Sequence, residues 1–313
     1  MVERVMKKGR VMITGAGGFT GRHACRCYAD EGWEVTAVVS PNGGSGEEIT
    51  ASQVISCDLR DGEAVVRLCR ETKPDAVLHL AGRNAVDFSW RHPALTLSAN
   101  LMSTVHLLEG IRAEGVCSVL IVGSMLRNDP SDLPRSSHPY AFSKTLQMTA
   151  ARAWRHWYGL PIVIVEPSNL IGPGGSGGLC GRLARWAAEM EEEREGAGRE
   201  PFFLSSLHES RDFLDVRDAV AAYERLLSEG TPGEVYALES GIFRTLEDVK
   251  NAFDAASTTE LPWRIGVSEA SCPAPRDCDP IRQLGWQPSI PFQDSIRDAF
   301  NDERNLLKFE RRV

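Results

Sequence analysis

The sequence predicts a doubly wound parallel α/β sheet, on three observations. Short apolar runs recur about every thirty residues, at Arg10 to Thr14, Glu34 to Val39, Val54 to Ser56, Ala76 to Leu80, Val116 to Val122 and Pro161 to Glu166. Helical patterns fill the gaps, as at Gly21 to Glu31 and Leu97 to Glu114, with apolar residues returning every three or four positions. The first run ends in a glycine-rich turn, "ITGAGGFTGRHA", that leads at once into a helix. Strands that are apolar along their whole length lie in sheets covered on both faces, which is the parallel case. Such sheets take ligands at the carboxyl ends of their strands.

The glycine turn is the first such end. Gly15, Gly18 and Gly21 stand three apart, so the chain turns tightly and its N–H groups approach a diphosphate at the helix N-terminus. Phe19, Thr20 and Arg22 open the helix beside them. Strand, glycine turn and helix together mark a dinucleotide-binding, Rossmann-type unit. After the second run, NAD sites place an acid for the adenosine ribose; this chain has Ser40, Pro41 and Asn42 there. NADP is therefore the expected cofactor, with Arg22 placed for its extra phosphate and NAD still possible.

Beyond Glu166 the rhythm breaks at "PSNLIGPGGSGGLCG". An amphipathic helix follows from about Leu179 to Glu193, running into the charged, solvated loop "EEEREGAGRE". "RDFLDVRDAVAAYERLLSEG" reads as an extended segment and a helix, "GEVYALES" as one more strand, and "LGWQPSIPFQDSIRDAF" as a turn, a short extended piece and a closing helix. The division expected is a dinucleotide-binding domain over 1–167 with a return segment at about 211–238, and a smaller mixed α/β substrate lobe over 168–313.

"HPYAFSK" sets Tyr140 one helical turn before Lys144. A phenol ordinarily titrates near 10, and an adjacent ammonium is expected to lower that value and make it a proton donor at neutral pH.

At these residues the chain resembles the short-chain dehydrogenase/reductase superfamily, in its extended, sugar-nucleotide-modifying branch. The likeness runs through "TGAGGFTG", "CDLRD", "HLAG", "VGS", "YAFSK", "EPSNLIGPG", "RDFLDVRD" and "LGWQP", in that order. It implies that Ser124 holds the substrate oxygen, Tyr140 passes the proton, and Lys144 tunes Tyr140 and binds the ribose. It further implies that Asp58 and Leu59 lie at the adenine, and that Leu80, Ala81, Gly82 and Pro167 line the cofactor groove. Asn169 and Arg211 become substrate contacts, Arg211 on the diphosphate side, with Arg182 and Arg185 as further phosphate ligands or simply a solvated helix face. His79, on an apolar strand, reads as a satisfied core histidine, and Asn100 as a buried hydrogen-bonding side chain or a catalytic one.

Within the branch, 4,6-dehydration, 4-epimerisation and 4-ketoreduction all begin with hydride transfer. The resembling dehydratases carry acids just after the serine, where this chain has Met125 and Leu126, so elimination lacks its acid and base. The segments "VGS", "SNLIGPGGS" and "SRDFLDVRDAV" look most like the GDP-4-keto-6-deoxy-D-mannose reductases of deoxysugar biosynthesis. The leading expectation is thus an NADP-linked reductase of a nucleotide-diphosphate 4-keto sugar. A 4-epimerase retaining NAD and a non-catalytic dinucleotide-sensing regulator are the alternatives. The resemblance also implies a homodimer paired through the helices at Leu97 to Glu114 and Tyr140 to Trp157.

Composition narrows the rest. A net charge of −8 argues against a protein that grips nucleic acid through its phosphates. No apolar run reaches the roughly 18 residues of a membrane span, and the expectation is a cytoplasmic enzyme. Eight scattered cysteines without paired spacing read as reduced, buried thiols, and no metal site is expected.

Overall fold

The computed structural model describes residues 8–41, 49–115, 117–192, 200–269 and 272–310. Asn42, Val116 and the charged loop at 193–199 lie outside them. The chain begins β1 (Gly9–Thr14), α1 (Phe19–Asp30), β2 (Trp33–Val39), β3 (Gln53–Ser56), α2 (Gly62–Thr72), β4 (Ala76–His79), α3 (Val86–Arg91) and α4 (Pro93–Leu97). A π-helical turn (Ser98–Met102) leads into α5 (Ser103–Glu114), then β5 (Ser118–Val122), α6 (Pro139–Tyr158), β6 (Ile162–Pro167), β7 (Asn169–Ile171) and α7 (Leu179–Glu192). After β8 (Phe202–Leu204) come β9 (Ser210–Asp215), α8 (Val216–Glu229), β10 (Val235–Leu238) and β11 (Phe243–Thr245). The chain ends with α9 (Leu246–Ala256), β12 (Trp263–Ile265), α10 (Asp279–Gln283) and α11 (Phe292–Glu310).

Two compact units result. The first takes residues up to Pro167, Val220–Leu238 and Asp279–Trp286. Its seven-stranded sheet has the order β10-β6-β5-β4-β1-β2-β3, with every pairing parallel. The reversal at β1, where the chain winds first one way and then the other, is the doubly wound topology expected. Val11, Met12, Ile13, Val77, Leu78 and Leu120 are fully buried, as strands covered on both faces must be. The returning chain joins this unit at Val220, later than the 211 read from the sequence, and residues 279–286 sit here rather than with the remaining C-terminal chain.

The second unit comprises Ser168–Ala219, Glu239–Cys278 and Gln287–Val313. It holds a three-stranded sheet, β11-β9-β7, and a two-stranded one, β12-β8. Its core gathers Ile171, Leu183, Phe213, Val249, Phe253, Ile296 and Phe300. Asp212 is fully buried within it and accepts hydrogen bonds from the Ser168 and Ser240 hydroxyls and the Ser240 and Gly241 N–H groups. Buried carboxylates need such partners, which gives the first acid of "RDFLDVRD" a structural purpose.

The sequence read Leu97 to Glu114 as one helix, but the π-helical turn interrupts it at Ser98–Met102. Asn100 lies in that turn, its side chain bonded to the Arg83 N–H and carbonyl and to Ser143. The eight cysteines carry free thiols, and burial pushes those of Cys25, Cys69, Cys117 and Cys180 up to about 12. Among the described residues no helix is long and apolar enough to cross a membrane.

Candidate active site

β1 delivers the glycine turn to the carboxyl end of its own sheet. Gly15 has φ +73°, a left-handed conformation suited to glycine, and a Cβ there would meet the Ala81 backbone at 2.8 Å. A Cβ on Gly21 would lie 2.2 Å from the Gly15 carbonyl oxygen, so α1 can seat against the turn only without a side chain. Gly18 caps α1 and is exposed, and the helix start has neither a side-chain cap nor an acid in its first turn. An uncapped N-terminus of this kind presents N–H groups and a positive dipole end to an anion. Phe19 and Thr20 begin the helix, Phe19 edge-on to His23, and Arg22 folds back to donate to the Gly17 carbonyl at 2.9 Å.

The neighbouring strand ends follow in the same unit. Ser40 is exposed directly after β2. Beyond β3, the Asp58 carboxylate is held by Arg60 at 2.7 and 2.9 Å and lies below its ordinary range, through the Arg60 side-chain hydrogen bonds. Both partners are exposed, and such pairs are worth no more than about 1 kcal/mol. Leu59 turns its side chain into the core while its carbonyl accepts from His106, so its contribution to a ligand would be main chain. After β4, Leu80 and Ala81 donate to the Thr14 carbonyl and hydroxyl. A Cβ on Gly82 would lie 2.8 Å from Asn100 Oδ1 and 3.9 Å from Lys144 Nζ, which brings this loop up to the lysine.

α6 carries Tyr140 and Lys144. Pro139 stands in its first turn and His138 caps it, Nδ1 accepting from the Ala141 N–H at 3.0 Å. The His138 ring also stacks on Tyr140, with centroids 5.9 Å apart. Sequence reasoning passed over His138, though its place before a proline at a helix start was the signal. Tyr140 and Lys144 are both buried, and the Ser124 side chain, just past β5, acts on the Tyr140 phenol and lowers it. Ser124 in turn accepts from the Leu126 N–H at 3.1 Å. Pro167, at the end of β6, accepts from the Met125 N–H.

The electrostatics correct the expectation for Tyr140. Burial raises the phenol above its ordinary value and Ser124 pulls it partly back; the ammonium does not lower it. Lys144 donates instead to the Val122 carbonyl at 3.0 Å and to Gln147 at 2.9 Å, and burial brings it down to about 8. His79 is the satisfied core histidine expected, bonded to Thr14 and Thr104 and lowered to about 3 by burial and then by Lys144. Arg127, three residues after Ser124, pairs with the buried Glu166 of β6, a partnership invisible in the sequence.

The second unit holds the remaining candidates. Asn169, on β7, donates to the Asp212 carbonyl at 2.9 Å. The Arg211 guanidinium is held by Glu209 at 2.9 and 2.5 Å. Arg182 is exposed on α7, while Arg185 is tied to Glu189 and Glu310, both at 2.8 Å. That network makes Arg185 a strut between α7 and α11 rather than a phosphate ligand. Among the described residues, no group of three or more His, Cys, Asp or Glu side chains could hold a metal ion.

Comparison with known proteins bears on this arrangement. The profile of the NAD dependent epimerase/dehydratase family matches residues 11–238. The GDP-6-deoxy-D-mannose reductase of Pseudomonas aeruginosa is 28% identical over 96% of this chain and 99% of its own length. The solved structure of RMD from Pseudomonas aeruginosa complexed with NADPH superposes with a TM-score of 0.79 at 28% identity, covering 96% of this chain and all of that one. The Thermus thermophilus UDP-glucose 4-epimerase in complex with NAD gives 0.79 at 25% identity, over 94% and 99%. With its seven-stranded parallel sheet and its Ser124, Tyr140 and Lys144 set, the chain belongs to the NAD dependent epimerase/dehydratase family and is an NAD(P)-dependent enzyme of the oxidoreductase type.

Proposed function

We propose that this protein is an NADP-linked reductase of a nucleotide-activated 4-keto-6-deoxy sugar, with the first unit holding the dinucleotide and the second the nucleotide sugar. The observation that carries the reading is a buried Tyr140 phenol on which Ser124 acts, with a buried Lys144 one turn along α6. The glycine turn fits a dinucleotide, because α1 starts uncapped and without an acid, and Ser40 leaves room for a ribose phosphate that a carboxylate would repel.

NADPH held at the glycine turn would supply the hydride that the C4 carbonyl carbon needs. Ser124 holds the carbonyl oxygen, and Tyr140 gives it a proton as the C–O double bond becomes an alcohol. The raised Tyr140 value keeps the phenol protonated at neutral pH, the form a reductase needs at the start of each turnover. The Lys144 ammonium would hold a ribose hydroxyl of the cofactor. Asp58, Leu59, Leu80, Ala81, Gly82 and Pro167 serve the cofactor, and Asn169, Arg182 and Arg211 the nucleotide sugar. A homodimer through α5 and α6 accords with Trp157 at the end of α6, which is 61% exposed.

Dehydration is disfavoured on two counts. Met125, Leu126 and Arg127 follow the serine, and the acid beside that segment, Glu166, is 1% exposed and ion-paired with Arg127. A 4-epimerase retaining NAD is the second reading, favoured by the likeness to a UDP-glucose 4-epimerase complexed with NAD. Following NADPH absorbance with GDP-, UDP- and dTDP-linked 4-keto-6-deoxy sugars separates the two. Consumption of one NADPH per sugar supports the reductase; a cofactor that stays bound through purification, with no NADPH consumed, supports the epimerase.

A further inference from the structure

Lys144 belongs to a string of buried side chains that crosses the first unit and that the proposed chemistry does not use. Gln147, Thr104, His79 and Thr14 are each at most 1% exposed. The order of donors along the string is fixed by chemistry. An ammonium can only donate, so the Gln147 oxygen faces Lys144 at 2.9 Å and its nitrogen faces Thr104 at 2.9 Å. The Thr104 hydroxyl has one proton and donates it to the Asn100 carbonyl at 2.8 Å. It therefore accepts from His79 Nε2 at 2.8 Å, which places the single ring proton of neutral His79 on that nitrogen. Nδ1 then accepts from the Thr14 hydroxyl at 2.8 Å, and Thr14 accepts from the Ala81 N–H. Every link is satisfied in one direction only.

We propose that Gln147 is a positioning residue for Lys144, its amide locked by Thr104 and His79 so that its oxygen fixes the ammonium in place and in its charged form. A buried ammonium without acceptors reverts to the neutral amine. Among the described residues the Val122 carbonyl and Gln147 take two of its three N–H bonds. The carbonyl belongs to the backbone of β5, so Gln147 is the acceptor that a side-chain change can remove. Tyr140 lies one turn back on its own helix, and neutral His79 of β4 is the titratable group on which the ammonium acts. From β5 it meets the Val122 carbonyl, while Asn100 of the π-helical turn and Thr104 of α5 bond to its neighbours Ser143 and Gln147. The string also starts at Thr14 and Ala81, beside the glycine turn, so one hydrogen-bonded unit supports both the floor of that turn and the lysine.

This inference deepens the catalytic reading of Lys144, and its test is chosen to stand apart from that reading. The full chain is labelled with carbon-13 at lysine Cε, and the Lys144 resonance, identified by its loss in Lys144→Met, is titrated without ligand. The wild-type midpoint is expected near 8. Gln147→Leu removes the acceptor and is expected to lower the midpoint by at least about one pH unit; Gln147→Glu, similar in shape but anionic, is expected to raise it by a similar amount. Opposite shifts cannot come from general loosening of the fold. Midpoints that stay put, or that move the same way in both variants, overturn the proposal. If Gln147→Leu does not fold, Gln147→Glu decides alone, a raised midpoint supporting the proposal and an unchanged one overturning it. In turnover, Gln147→Leu should lower kcat about tenfold or more while KM for the sugar changes little. A wild-type protein that reduces no sugar would defeat the reductase reading and leave the titration result intact.

Discussion

The Ser124 side chain acts on the buried Tyr140 phenol and opposes the burial that raises it. It links the residue just past β5 to the first turn of α6, the next α-helix along the chain. Replacing Tyr140 by Phe deletes the proton donor and should lower kcat by roughly 10²- to 10⁴-fold with cofactor affinity nearly unchanged. Ser124→Ala should lower kcat as well, and should move the phenol's titration, read by ultraviolet difference absorbance, further upward. A Tyr140→Phe protein with wild-type turnover would remove Tyr140 from the mechanism.

Gly21 and Gly18 differ in what a methyl group would meet. At Gly21 it would strike backbone at 2.2 Å, whereas at Gly18 the nearest atom is 3.3 Å away on an exposed turn. Gly21→Ala is expected to destabilise the first unit by about 1–3 kcal/mol or more, seen as a lower thermal midpoint without ligand. Gly18→Ala should leave that midpoint within a degree or two and act on cofactor binding, measured as a weaker Kd for NADP.

The proposed preference for NADP rests on the bare hydroxyl of Ser40 after β2. Ser40→Asp places a carboxylate where a ribose phosphate would sit, so kcat/KM for NADPH relative to NADH should fall at least about tenfold, equivalent to about 1.4 kcal/mol. An unchanged ratio would show that the ribose lies elsewhere.

His79 makes the fold sensitive to mild acid. Its native value is lowered to about 3, against roughly 6.5 unfolded, so between those values the unfolded chain binds a proton that the native protein refuses. Stability is therefore full above pH 6.5 and declines as pH falls, by roughly 2–3 kcal/mol at pH 4.5. Urea unfolding at stepped pH measures this. His79→Asn should remove most of the slope above pH 5, because the carboxylates held low by partners, such as Glu191 at about 2 and Asp215, lose their stabilising charge only in stronger acid.

Much of the first unit was legible because its signals are local. The glycine turn, the spacing of Tyr140 and Lys144, and six apolar strands all announce themselves within a few residues. What stayed hidden depends on partners distant in the chain. The break at Ser98–Met102 accompanies bonds from Asn100 to Arg83 and Ser143, and no periodicity around Leu97 records them. Arg185 looked available to a phosphate, yet one of its partners, Glu310, is 125 residues away. Arg127 and Glu166 conceal each other in the same manner. In the second unit β7, β8, β11 and β12 have three residues apiece, too few for an alternating pattern to show. The Tyr140 value was misjudged because spacing reveals a nearby ammonium but not the depth of burial around a ring.

The most direct measurement follows deuterium from NADPH labelled at C4 of its nicotinamide into GDP-4-keto-6-deoxy-mannose, by NMR of the sugar. Deuterium at the sugar's C4, with one NADP formed for each alcohol, is the result expected of a reductase in which Tyr140 gives the proton. Unlabelled sugar, with the NADPH unspent and the protein's own nucleotide still bound, would contradict it.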